Sequence, residues 1–166
     1  GDDEVEVDNP TGSQVSVNKP TVNVTIDLES ISLNKTELNL EKGASETLKV
    51  TFQPEAAGKG KTVTWSSSDT KVVTVSKDGK VTAAAPGTAK ITASVDGKTA
   101  SCTVKVTASL RGISLNKTEL NLKKGQSEAL TVSYDPEDTT DKKEITWTSS
   151  DTSVASVTEE IGRASC

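Results

Sequence analysis

Along this chain hydrophobic residues recur at every second position in short runs, and no stretch of useful length repeats at the 3.6-residue spacing of a helix face. Leu38 and Leu40 alternate in TELNL, Leu48, Val50 and Phe52 in SETLKVTF, and Val63 and Trp65 in KTVTWSS. VVTVS and VTAAA follow, then Ala89, Ile91, Ala93 and Val95 in TAKITASV, and Cys102, Val104 and Val106 in TASCTVKVT. A period of two places each set on one face of a pleated strand. Turn signals separate the runs: Glu41-Lys42-Gly43, QPEAAGKG, SSDT, Lys77-Asp78-Gly79, Pro86-Gly87 and Asp96-Gly97. Asp-Gly favours a two-residue hairpin, Pro54 withholds an amide donor, and the Ser and Asp side chains of SSDT can hold a tight corner through nearby backbone amides. The pattern predicts about seven strands in residues 31–107 and hence an all-β sandwich or barrel.

The same pattern occurs twice. ISLNKTELNL stands at 31–40 and again, unchanged, at 113–122, an offset of 82 residues. Without a gap, that offset pairs Gly43 with Gly125, Phe52 with Tyr134, Pro54 with Pro136, Trp65 with Trp147, and SSDT at 67–70 with SSDT at 149–152. It also extends backwards, from TVKVTASL at 103–110 to TVNVTIDL at 21–28, which reads as the closing strand of an earlier repeat. So long a period suits whole domains strung as beads rather than solenoid units. The expected organisation is an N-terminal segment 1–30, a first bead 31–107, a linker 108–112 and a second bead 113–166. The linker's shortness limits the angle between beads, and Gly112 permits some bend. In the second bead the register stops after Val157, and the tail IGRASC does not continue the alternation. Three readings of that ending stay open: a truncated piece with a cloning scar, a natural divergence, or strands supplied from elsewhere. A sandwich short of its last strands presents open sheet edges. Strand exchange is then an expectation, with EVEV, QVSVN or TVNVTI of one copy completing the second bead of a neighbour.

Composition narrows the function classes. The formal charge is -5 with both signs interspersed, which disfavours nucleic acid and offers no polybasic patch to a membrane; no apolar run is long enough to span a bilayer. The sequence has no Met and no signal peptide, so a mature or excised piece is expected. It has no His and only two Cys, which removes the usual general base and any thiolate zinc site. No nucleophile elbow or phosphate loop is present. The sequence assigns no catalytic, cofactor-binding or metal-binding residue, and a non-enzyme is expected.

ISLNKTELNL, the Lys-Gly turn, WSSSDTKVVTV and DGKVTAAAPGTAKITA together resemble the bacterial Ig-like group 2 domain family. Residues 31–107 cover that pattern from end to end and the second copy covers about its first two thirds. The resemblance implies a seven-stranded immunoglobulin-like sandwich, carried in tandem by surface proteins, adhesins and some phage virion proteins. It further implies a spacer or adhesive module without catalysis.

Each candidate site has a plainer reading beside the functional one. Trp65 and Trp147 could stack on a sugar ring, yet their alternation with Val63 and Ile145 suits the core Trp of such a sandwich. Cys102 reads as a buried thiol acting as a small hydrophobe, and Cys166 as a terminal residue outside any bead. Asp2, Asp3, Glu4, Glu6 and Asp8 could attract calcium but lack the ligand order of a defined site and read as a solvated edge. Asn34-Lys35-Thr36 and Asn116-Lys117-Thr118 have the form of glycosylation acceptors. The loops QPEAAGKGK and DPEDTTDKK, which differ between repeats, are the places a bead would bind a ligand. The expected partner is a host-surface protein, matrix protein or glycan, in an extracellular or cell-surface setting. Two alternatives are an accessory module of a secreted carbohydrate-active enzyme, and decoration of a phage virion binding host glycans.

Overall fold

The computed structural model describes residues 5–8, 14–158 and 163–165. Strands β1 (Val5–Asp8) and β2 (Gln14–Val17) form an antiparallel hairpin. Residues 18–29 hold no strand, and Val22, Val24 and Ile26 project into solvent.

The first bead comprises β3 (Ser30–Leu33), β4 (Glu37–Glu41), β5 (Ser45–Thr47), β6 (Val50–Gln53), β7 (Thr64–Ser67), β8 (Val73–Val75), β9 (Lys80–Ala83), β10 (Gly87–Val95) and β11 (Lys98–Thr107). One layer is the four-stranded sheet β4-β11-β10-β7, and the other consists of β5-β9-β8 and the pair β3-β6. Leu38, Leu40, Ile91, Val104 and Val106 of the first layer meet Val73, Val81 and Ala83 of the second in one aliphatic cluster. Ala93 and Val95 meet Ile31, Val50 and Phe52 in another. Leu33 and the Trp65 ring pack against both clusters and join them. Gly79 accommodates that ring: its φ is +83°, and a Cβ there would lie 2.7 Å from the indole and 2.8 Å from the Leu48 carbonyl oxygen.

The alternating runs are strands, but two of the seven predicted segments are each divided between sheets. ISLNKTELNL contributes β3 to the pair with β6 and then β4 to the edge beside β11. SETLKVTF likewise contributes β5 to β9 and β6 to β3. The division sits at Asn34. Its N–H donates to the Lys49 carbonyl at 3.0 Å, and its side-chain oxygen accepts from the Lys49 N–H at 2.7 Å. An amide side chain thus replaces a ladder bond where the chain leaves one sheet for the other.

In the second bead β12 (Gly112–Leu115) pairs with β14 (Val132–Asp135), and Ile113 faces Tyr134 as Ile31 faces Phe52. Strands β13 (Ser127–Ala129), β15 (Ser156–Thr158) and β16 (Arg163–Ser165) repeat the sheet β5-β9-β8. Residues 163–165, in the tail that does not continue the alternation, thus form a strand of the second bead. Ser165 faces Ser127 as Thr82 faces Ser45, so the offset becomes 83 and the preceding turn holds one extra residue. At either offset the counterparts of β10 and β11 would fall beyond residue 166. The counterparts of their neighbours β4 and β7, residues 119–123 and 146–149, carry no strand. Trp147 is half-buried there and Leu120 and Leu122 are half-buried, whereas Leu38 and Leu40 are buried. Ile113 is 56% exposed against 7% for Ile31.

Identical substitutions in the two copies therefore have unequal effects. Ile31→Ala is expected to cost the first bead about 2–4 kcal/mol, while Ile113→Ala stays within about 0.5 kcal/mol. Urea unfolding followed bead by bead through backbone amide resonances measures both, and equal losses would contradict the difference in burial.

Candidate functional site

The densest set of specific polar contacts lies where the two beads meet. Residues 107–111 are held from both sides. From the first bead, the Glu41 carboxylate accepts the Ser109 N–H at 2.5 Å, the Ser109 hydroxyl at 3.1 Å and the Thr107 hydroxyl at 3.3 Å. From the second, the Ala108 N–H donates to the Thr140 hydroxyl at 3.0 Å. The Ala108 carbonyl accepts the Thr139 hydroxyl at 2.7 Å and the Thr140 N–H at 2.8 Å. The Leu110 N–H donates to the Asp141 carboxylate and the Arg111 N–H to the Asp135 carbonyl, both at 2.7 Å. Ala108 is fully buried, and Lys42 reaches across to Asp138 at 2.7 Å. That ion pair is exposed and contributes little by itself, whereas the bonds to Ala108 tie a buried backbone amide on both its polar sides. The linker is thus clasped as well as short.

The clasp also reassigns a loop. Of DPEDTTDKK, residues Asp138, Thr139, Thr140 and Asp141 face the junction, whereas Glu137, Lys142 and Lys143 are exposed, with Lys143 over the Tyr134 ring at 5.0 Å to the centroid. In QPEAAGKGK a 3-10 turn over Glu55–Gly58 buries Ala57 and sets Gly58 against the Phe52 ring. Between the beads lies a cleft of about 500 Å³ whose titratable lining is Lys105 and Asp141; the latter is already engaged by the linker.

The other sequence candidates fall as follows. Trp65 is half-buried, with its ring packed against both core clusters, and Trp147 is half-buried and lies outside any strand. Cys102 is a buried free thiol whose pKa is raised, first by burial and then by the nearby Glu46 charge. Asn34 and Asn116 use their side-chain oxygens on the backbone, the latter accepting the Thr131 N–H at 2.8 Å. Lys35 pairs with Glu46 at 2.7 Å, and Lys117 repeats the pair with Glu128. The SSDT corner also recurs: Ser67 donates to the Val73 carbonyl at 2.7 Å and Ser149 to the Ala155 carbonyl at 2.6 Å. Asp151 is held below the usual carboxylate range, chiefly by the Ser153 hydroxyl. Asp2, Asp3, Glu4 and Cys166 lie outside the described residues, as do the side chains of Glu6 and Asp8. Among the described residues no group of three or more His, Cys, Asp or Glu is placed to hold a metal ion, and no helix is long and apolar enough to cross a membrane.

Sequence reasoning missed the clasp, although a signal for it existed. Glu41 interrupts the repeat frame, since its counterpart is Lys123, and Thr139, Thr140 and Asp141 stand where the first bead has Ala57, Gly58 and Lys59. Departures from a constant frame mark contacts made only once.

The sequence profile of the bacterial Ig-like domain (group 2) matches residues 27–106 and 109–164. An uncharacterized protein of Clostridium acetobutylicum is 42% identical over 134 residues, which is 79% of this chain and 14% of that protein. A lacto-N-biosidase of Bifidobacterium bifidum is 54% identical over 71 residues, 42% of this chain and 6% of the enzyme. The chain therefore spans a small fraction of the curated relatives it matches. Among solved structures, domains 4 and 5 of the S-layer protein SbsC align with a TM-score of 0.44 at 26% identity, covering 59% of this chain and 61% of that one.

Protonation tests the clasp. The Ser109 N–H, more than any other contact, lowers the Glu41 pKa below its ordinary 4.5, with partial desolvation opposing. A lowered carboxyl stabilises the clasp above the ordinary pKa, and that contribution is lost as pH falls through the lowered value. The Ser109 amide resonance is expected to titrate below pH 4.5 and to lose that titration in Glu41→Gln. A Ser109 amide indifferent to both changes would show that Glu41 does not hold the linker.

Proposed function

The chain belongs to the bacterial Ig-like domain (group 2) family, and from that premise we propose that its beads act as a non-catalytic spacer, holding other parts of an extracellular protein at a set distance. The observation that carries this reading is the clasped junction, where both polar groups of Ala108 and the amides of residues 109–111 are bound by fixed partners. A flexible tether would leave those groups to water, so the clasp sets an angle as well as a length. The parts that repeat support the same reading, since the Asn bridge, the Lys–Glu pair and the SSDT corner all serve the frame. The match to a short stretch of a lacto-N-biosidase supports one such setting, a bead within a large carbohydrate-active enzyme whose chemistry resides elsewhere.

Spin labels at Lys71→Cys and Lys142→Cys, in a Cys166→Ser background, read the angle between beads. A narrow distance distribution is expected, broadening when Glu41→Ala and Asp141→Ala are combined. A broad distribution in the unaltered junction would overturn the stiff spacer. Saturable binding of a glycan or matrix protein, abolished by changing Lys142 and Lys143, would favour an adhesive bead instead.

A further inference from the structure

The chain enters and leaves the first bead at opposite ends. Ile31, near the start of β3, packs with Ala93 and Val95 beside the Asp96-Gly97 turn. Leu33 touches both clusters, Leu38 lies opposite Val104 and Leu40 opposite Val106, so β3 and β4 advance from that turn to the junction. Strand β11 starts at the same turn, runs parallel to β4 and passes into the linker at Thr107. The strand fed by the entering chain and the strand that delivers the leaving chain are therefore neighbours in one sheet.

We propose that the first bead is a load-bearing link in which the pair β4–β11 resists tension along the chain. The source of that tension rests on the spacer reading, since a spacer joins parts that can be drawn apart. A pull on the segment before Ser30 draws β4 toward the Asp96-Gly97 turn, and a pull on the linker draws β11 the other way. Two parallel neighbours are then sheared along their common axis. The bonds of a parallel ladder are evenly spaced, so the five registered pairs from Glu37–Thr103 to Glu41–Thr107 carry the load together. Two backbone bonds extend the ladder at its ends. The Thr103 N–H donates to the Thr36 carbonyl at 2.9 Å, and the Lys42 N–H to the Thr107 carbonyl at 2.7 Å. Sliding is also opposed by packing. Leu38, Leu40, Val104 and Val106 are all buried, and a slip of one residue would turn one strand's apolar pair to the solvent face.

The clasp guards the end at which this ladder would otherwise peel. Glu41, the last residue of β4, accepts the Ser109 N–H at 2.5 Å and the Ser109 hydroxyl at 3.1 Å, two residues beyond the end of β11. A pull on the linker that departs from the strand axis meets this grip before it reaches the Glu41–Thr107 pair, so the load stays in shear. The antiparallel pairs of β3 with β6 lie ahead of the ladder on the same path. Their release would free only the short segment between Ser30 and Thr36, with β4 and β11 still holding the bead.

Single-molecule stretching of the full chain tests this through its dependence on direction, because forced unfolding follows the unfolding barrier rather than the equilibrium stability. Handles on Lys19→Cys and Gly112→Cys, in a Cys166→Ser background, pull the first bead end to end. Cys102 is fully buried and takes no handle, and a side chain at Gly112 meets nothing within 4 Å. Handles on Lys42→Cys and Gly112→Cys instead draw the same two strands apart from their shared junction end, where the pairs open one after another. All three positions lie outside the core. End-to-end pulling is expected to need severalfold more force. Its main step should release roughly 240 Å of chain from residues 30–107, and Glu41→Ala should lower the force of that step. Equal forces in the two directions, or a rupture force indifferent to Glu41→Ala, would overturn the proposal. Such a failure is distinguishable from failure of the spacer, which the spin-label distances report without any applied force.

Discussion

The hairpin of β10 and β11 is the element on which the rest of the first bead depends. Nine cross-strand pairs run from Gly87 opposite Val106 to Val95 opposite Lys98, the longest ladder among the described residues. Its inward face supplies Ala89, Ile91, Ala93, Val95, Cys102, Val104 and Val106, all buried. On one side it gives β4 a parallel partner and on the other it gives β7 an antiparallel one. Remove that central pair and two strands lose their backbone partners while both hydrophobic clusters lose a wall. In the second bead the pairs β12-β14 and β13-β16-β15 are present, and residues 119–123 and 146–149 carry no strand.

The repeated and the unrepeated residues divide by task. Those that recur in register are internal to a bead, where they turn the chain between sheets, pair a lysine with a glutamate, or close the SSDT corner. Those that differ act between beads. Glu41, Thr139, Thr140 and Asp141 have no chemical equivalents 82 residues away, and together they bind the linker from both sides. A family of beads can therefore keep one frame and set the angle of each joint separately. The recurring side-chain contacts and those at the junction alike hold backbone in place.

Much of the fold was legible because a pleated strand reports its buried face with a period of two. The alternation located the runs of the first bead and, among the residues it placed inward, Leu38, Leu40, Leu48, Ala89, Ile91, Ala93, Val95, Cys102, Val104 and Val106 are buried. It could not show that ISLNKTELNL and SETLKVTF each divide between sheets, since the break at Asn34 depends on a bond to Lys49, fifteen residues away. Nor could it recognise β16, because a one-residue insertion moved Arg163–Ser165 out of the register being followed. The loop DPEDTTDKK looked free for a ligand, and its charges do point outward from its own bead. Of these, Asp138 meets Lys42 of the first bead and Asp141 meets the linker at Leu110.

ISLNKTELNL separates what sequence alone determined from what tertiary structure decided. In both copies the ten residues form the ISL strand, bend at the asparagine with its side chain on the opposite backbone, and pair the lysine with a glutamate. Those outcomes rest on partners within about twenty residues, which every copy carries with it. TELNL is different. Beside β11 it is strand β4 with both leucines buried, and without such a neighbour the same letters carry no strand and leave both leucines half-buried. A backbone amide gains from a ladder only when the ladder exists, because water satisfies it otherwise. Local chemistry set the turns and the faces; whether the last five residues became a strand was settled by a partner they do not encode.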